Sequence, residues 1–320
     1  AGAFSDSCNM KHEGCCAESA VEDARRVCDK LGIDFYVMNF KDMFKDKVVD
    51  YFVDEYIHGR TPNPCIACNK YLKFDALLKK ALAMGIDYVA TGHYAKIEKG
   101  EDGKYILRAS EAVKKDQSYV LYNFTQEQLA HTLMPLGGYN KDWVRQKAEE
   151  LGLGVAHKPD SQEICFVEDD DYAKFITDYS GYKPKEGDIL DVNGNVIGKH
   201  RGLIYYTIGQ RKGIGAYGRP MFVMKIDAEN NTITLGEKGM EFSNELTAYD
   251  VNFVSGEFPK ENMLITAKVR YQAPPAAAML CPQKDGTVKL MFPEPQRAVT
   301  PGQAVVFYDG DIVLGGGTVL

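Results

Sequence analysis

The sequence predicts an α/β domain built on a parallel sheet, followed by a β-rich C-terminal half. Two observations carry this expectation. Helical patterns alternate with short β-prone runs as far as about residue 170, and beyond that point composition shifts to turn signals such as VNGN, ENN and YDGD between runs such as NTITLG, LITAKVRY, TVKLMF and AVVFYDG. The length of 320 residues agrees, since a single core ordinarily serves about 100 to 150 residues.

In AESAVEDARRVCDKL, residues 17–31, Val21, Ala24, Val27, Cys28 and Leu31 share one helical face, and Gly32 follows as a C-cap. DFYVMNF reads as a strand and Met43 to Ile57 as a second helix stopped at Gly59. After the proline-punctuated loop RTPNPC, residues 71–84 read as helix. DYVATGHY then reads as a buried strand whose carboxyl end places Thr91, Gly92 and His93 where open α/β sheets bind ligands. TQEQLAHTL and NKDWVRQKAEELGL add helical patterns.

Hydrophobic residues make up 45% and charged residues 26%, an ordinary globular mixture, and the net charge is −7. That balance offers phosphate no whole-molecule attraction, so a nucleic-acid partner requires a local basic face. The strongest local cluster is KHRGLIYYTIGQRKGIG, with Lys199, His200, Arg201, Arg211 and Lys212; a solvated loop explains the charge equally well. No apolar run reaches the roughly 20 residues of a membrane span, and the first residues lack a signal-peptide pattern, so a cytoplasmic location is expected.

The eight cysteines stand at 8, 15, 16, 28, 65, 68, 165 and 281. In RTPNPCIACNKYLKF, a helix start and the neighbouring Lys70 both favour a thiolate at Cys68; an isolated CxxC serves a metal or a nucleophile about equally well. A second CxxC to complete a structural zinc site is absent from the sequence. Cys165, beside the anchoring pair Phe166 and Val167, reads on its own as a packing residue. Cys28 and Cys281 read the same way, and the adjacent Cys15 and Cys16 lack a ligand set. His93 fits a hydrogen-bonded loop histidine or a ligand contact. KKDQSYVLYNF suits phosphate contact with base stacking, and equally a strand edge.

Taken in order, RTPNPCIACNKYLKF, ATGHYAKI, KDQSYVLY, KPDSQEICFV, HRGLIYYTIGQRKGIG, VRYQ and AVTPGQAVVFYDGDIVLGGG resemble the motifs of the tRNA-specific 2-thiouridylases. The resemblance implies a PP-loop, adenine-nucleotide alpha hydrolase-like domain over residues 1–172, a central β-rich tRNA-binding domain over 173–245 and a C-terminal β-barrel over 246–320. It implies ATP-dependent thiolation at C2 of the wobble uridine, with Cys68 as nucleophile and Cys165 as persulfide carrier. Asn63, Pro64 and Cys65 match positions that meet the target base, and Gly92 a nucleotide contact. His93, Lys115, Asp116, Gln117, Arg270, Tyr271 and Gln303 match tRNA contacts.

ATP with Mg2+, tRNA and a sulfur-donor protein or relay are the implied cofactor and partners, without a membrane, and a monomer is expected. A [4Fe-4S] cluster on Cys65, Cys68 and Cys165 is the alternative mechanism. The family's glycine- and serine-rich pyrophosphate loop has no counterpart in the sequence. The expectation is therefore a sheet without its first strand and a damaged ATP site, which keeps a non-catalytic tRNA-binding role as the alternative function.

Overall fold

The computed structural model describes residues 18–112, 115–158, 164–167 and 170–320. Cys8, Cys15 and Cys16 lie outside the described residues. The first helix, Glu18–Leu31, closes as its sequence predicts: Gly32 takes φ +66° and the Ile33 N–H reaches back to the Cys28 carbonyl at 3.0 Å.

A second helical run spans residues 41–57 and a third residues 64–83, each with a π-helical stretch inside, Lys45–Asp50 and Cys68–Ala76. DFYVMNF, expected as a strand, forms none. Tyr36 and Val37 stay exposed, and without a neighbouring ladder a β-prone run has nothing to pack its pleated faces against. The expected strand DYVATGHY is reduced to β1, Val89–Ala90, which pairs in parallel with β4, Thr132–Leu133. Only the start of TQEQLAHTL is helical, Gln126–Ala130, opened by a capping box on Thr125. Between β1 and β4, β2 (Ala95–Lys99) and β3 (Tyr105–Ala109) form a hairpin.

The central module follows the helix Tyr172–Ser180. It is a four-stranded sheet of β5 (Gly187–Leu190), β6 (Val196–His200), β7 (Met221–Asp227) and β8 (Thr232–Glu237), in the order β6-β5-β8-β7. Ile189, Val223, Ile233 and Leu235 make its core.

The last six strands are β9 (Phe242–Phe253), β10 (Met263–Lys268), β11 (Ala276–Pro282), β12 (Val288–Arg297), β13 (Ala304–Asp309) and β14 (Ile312–Val319). They run β13-β10-β11-β12-β9-β14, and β13 pairs β14 to close an antiparallel barrel, which removes its edges.

Strand β13 shows why the domains do not separate. Its period of two sends Val305 and Phe307 into the barrel core. Ala304, Val306 and Tyr308 point the other way, into a second core with Ile66, Phe74, Tyr119 and Phe124 of the N-terminal half. The β2–β3 hairpin also joins the barrel, through Arg108 opposite Ile312. Gly316 permits this close packing, because a Cβ there would come within 2.7 Å of both the Tyr122 ring and the Val305 carbonyl.

Candidate active site

The helix over 64–83 begins earlier than its sequence pattern predicts, so both thiols of the CxxC lie inside it. Asn63 caps it, its Oδ1 accepting from the Cys65 N–H at 3.1 Å and the Ile66 N–H at 3.4 Å, and Pro64 takes the first helical position. Cys65 is exposed on the first turn. Cys68, three residues on, is a helical neighbour of Cys65 and stands partly buried where the π-helical stretch begins.

Lys70 does not stand by Cys68 as expected. It points to the barrel and pairs with Asp250 at 2.6 Å, because residues two apart on a helix face different ways. The positive end of the helix lies one turn away from Cys68.

Cys165 approaches from a segment far along the chain. It and Cys68 pack against the same cluster of buried residues, formed by Val48, Val49, Phe52, Phe166 and Ile176 among others. Phe166 and Val167, the anchoring pair named by the sequence, are both buried, and the Phe166 ring meets Phe44, Phe52 and Phe175 with centroids 5.2 to 5.8 Å apart. No disulfide joins Cys68 and Cys165 in the structure. Among the described residues no three His, Cys, Asp or Glu side chains gather into a metal site, Cys65, Cys68 and Cys165 included.

The barrel holds the loop that leads into the helix. The Thr61 N–H donates to the Pro301 carbonyl at 2.9 Å, and Gln303 Nε2 donates to the Thr61 carbonyl at 2.8 Å. Gly302 makes the approach possible: its φ is +86°, and a Cβ would stand 2.9 Å from the Thr61 nitrogen. From within the loop's own domain, Arg60 pairs with buried Glu55. Beside Asn63 opens a cavity of about 360 Å3 lined by Tyr51, Tyr71, Tyr122 and Tyr249.

KDQSY folds as an irregular loop into a short 3-10 helix, Ser118–Leu121, rather than a strand edge. Asp116 is fully engaged in shaping it. Its carboxylate accepts from the Ser110 and Ser118 N–H groups at 3.0 and 3.2 Å and from the Ser118 hydroxyl at 2.8 Å. The Lys115 N–H donates to the Ala112 carbonyl at 2.7 Å. Gln117 pairs with Tyr94 in both directions, which ties this loop to the strand end carrying Gly92 and His93.

His93 meets Thr91 Oγ1 at 2.9 Å through Nδ1 and packs against Phe74. Burial, helped by nearby Lys73, pushes its pKa down to about 4, so the ring is neutral at physiological pH. Gly92 is exposed at the carboxyl end of β1, and a Cβ there would meet only Leu136, at 3.8 Å.

Arg270 and Tyr271 follow β10. The Tyr271 hydroxyl donates to the Asp116 carbonyl at 2.9 Å, and its ring meets Tyr119 edge-on at 5.7 Å. Burial raises the Tyr271 pKa, with Asp116 adding to the effect, Lys115 opposing it and Cys65 within electrostatic range. Arg270 turns its Nη2 onto the Ile208 carbonyl at 3.1 Å, the Ala298 carbonyl at 2.7 Å and Thr300 Oγ1 at 2.5 Å, joining the central module to the barrel.

The basic run at 199–212 divides. His200 is buried and holds Asn231 and Gly202, Lys199 pairs with Asp188, and Arg201, Arg211 and Lys212 are exposed.

Models of the tRNA methyl transferase HUP domain, the tRNA methyl transferase PRC-barrel domain and the aminomethyltransferase beta-barrel domain match residues 3–169, 173–237 and 243–319. The tRNA-specific 2-thiouridylase MnmA of Acetivibrio thermocellus is 59% identical over 308 residues, covering 96% of this chain and 86% of the relative. Its counterpart in Clostridioides difficile is 58% identical over 308 residues, with 96% and 85% covered. The chain belongs to the tRNA-specific 2-thiouridylase family.

Seen as a 2-thiouridylase, the molecule ties the Asn63–Pro64–Cys65 loop to Gln303 and the Asp116 loop to Tyr271 through the contacts above, while His93 precedes Tyr94, which bonds Gln117. Sequence reasoning missed Lys268, whose ammonium lies over the Tyr119 and Tyr271 rings at 5.9 and 5.8 Å. Its place two residues before Arg270, in the same VRYQ-bearing stretch, is the signal that would have found it.

Proposed function

We propose that the protein thiolates C2 of the wobble uridine in tRNA, using ATP and a cysteine persulfide. The observation that carries this reading is that Cys68, on a capped helix N-terminus, and Cys165, far away in sequence, pack against one buried cluster. Its relatives' name supplies the substrate class.

In this reading ATP, held in part at the Gly92 backbone, supplies the activation that turns the C2 oxygen into a leaving group. Cys165 carries the sulfur as a persulfide delivered by a donor protein or relay. The Cys68 thiolate attacks Cys165 Sγ, the terminal sulfur leaves toward C2 with the bonding electron pair, and a Cys68–Cys165 disulfide remains for a cellular thiol to reduce. Asn63, Pro64 and Cys65 receive the base. His93, Lys115, Asp116, Gln117, Arg270, Tyr271 and Gln303 shape the wall that faces the tRNA, in a chain divided at about residues 172 and 245.

The test is mass-spectrometric detection of 2-thiouridine in unmodified tRNA incubated with the protein, ATP, Mg2+ and a persulfide donor. Cys68→Ser and Cys165→Ser are each expected to lower product by at least about a thousandfold, the scale of losing a covalent nucleophile. Only Cys68→Ser should retain a labelled persulfide on Cys165. Undiminished transfer by Cys165→Ser would sink the reading.

A further inference from the structure

We infer that Lys268 is an anion contact that seats a phosphodiester of the bound RNA against the Tyr119–Tyr271 shelf, next to the target-base position. The inference rests on the functional reading above and adds a residue to it.

Lys268 ends β10, where its backbone pairs with Val306 of β13. Its neighbours Ala267 and Val269 pack into the barrel core, so Lys268 lies on the outer side, and Arg270 follows just past the end of the strand. Their surroundings differ. Arg270 has three protein oxygens on its Nη2, whereas among the described residues no carboxylate pairs with the half-buried Lys268. Its ammonium instead sits over two tyrosine rings.

Asp116 is the nearest opposing charge, and its carboxylate is occupied by Ser110 and Ser118. Burial lowers the Lys268 pKa, so this cation is under-solvated as well as unpaired. A half-buried ammonium without a counter-ion is expensive in a protein of net charge −7 unless a ligand supplies the anion. Tyr271 lies within electrostatic range of Cys65, so the shelf stands on the side of the molecule that carries that thiol. A phosphate linked to a base that stacks on the exposed Tyr271 ring meets both requirements.

The experiment is equilibrium binding of unmodified tRNA to the intact protein across a KCl series, for wild type, Lys268→Met and Lys268→Arg. One lost phosphate contact makes the slope of log affinity against log salt shallower by about 0.7 to 0.9. At low salt, Lys268→Met is expected to bind about tenfold more weakly with that reduced slope, and Lys268→Arg to keep the wild-type slope. Lys268→Gln reads the same slope should the methionine variant fail to fold. An unchanged slope in Lys268→Met, with or without weaker binding, overturns the assignment and leaves the functional reading standing. A wild-type protein without tRNA affinity overturns both.

Discussion

At the scale of single residues, the site works by withholding charge as much as by placing it. His93 is held neutral by burial, its pKa pushed down to about 4 from the ordinary 6.5. The unfolded chain therefore binds more protons than the folded one between those values, and stability rises with pH there. The contribution is full above about pH 6.5 and is lost as the pH falls toward 4, by up to about 3 kcal/mol. Urea unfolding at pH 7 and pH 4.5 should show this loss, and His93→Gln should flatten it. Lys70 teaches the same lesson in reverse, since its ion pair with Asp250 takes it away from Cys68.

At the scale of elements, the helix over 64–83 is what aims the CxxC. Its start depends on one side chain, since Asn63 satisfies two of the N–H groups that a helix N-terminus leaves without partners. Asn63→Ala is expected to cost about 1 kcal/mol in chemical denaturation, and Asn63→Asp to recover most of it. If Asn63→Ala left stability unchanged, the cap would not be setting this end. The sequence placed this helix from residue 71, because Cys65 and Cys68 interrupt the obvious apolar periodicity; the Asn-Pro pair at the N-cap and first helical position was the readable sign of the earlier start.

At the scale of the whole molecule, the three parts function as one because their cores and hydrogen bonds cross. Arg270 links Ile208 of the central module to Ala298 and Thr300 of the barrel, and β13 lends one face to each of two cores. Replacing Arg270 by Met removes the donor from the Ile208 carbonyl and Thr300 Oγ1 and one of two donors from the Ala298 carbonyl, and is expected to destabilise by about 3 kcal/mol. Differential scanning calorimetry of Arg270→Met should show the central module melting ahead of the rest. A single transition at the wild-type temperature would mean that Arg270 does not couple them.

Sequence alone determined the family and the β-barrel half, because each rests on local patterning or on motifs whose order survives without a fold. It also named Phe166 and Val167 as anchors, and both are buried. It did not reveal that DFYVMNF stays out of any strand, since strand formation needs a partner that no local pattern supplies. Nor did it show that Lys70 turns to Asp250, that Tyr271 rests on the Asp116 carbonyl, or that Lys268 lies unpaired on two tyrosines. Apart from Lys268 over the nearby Tyr271, those facts join residues more than a hundred positions apart, and only the packing of the barrel against the N-terminal core brings them within contact range.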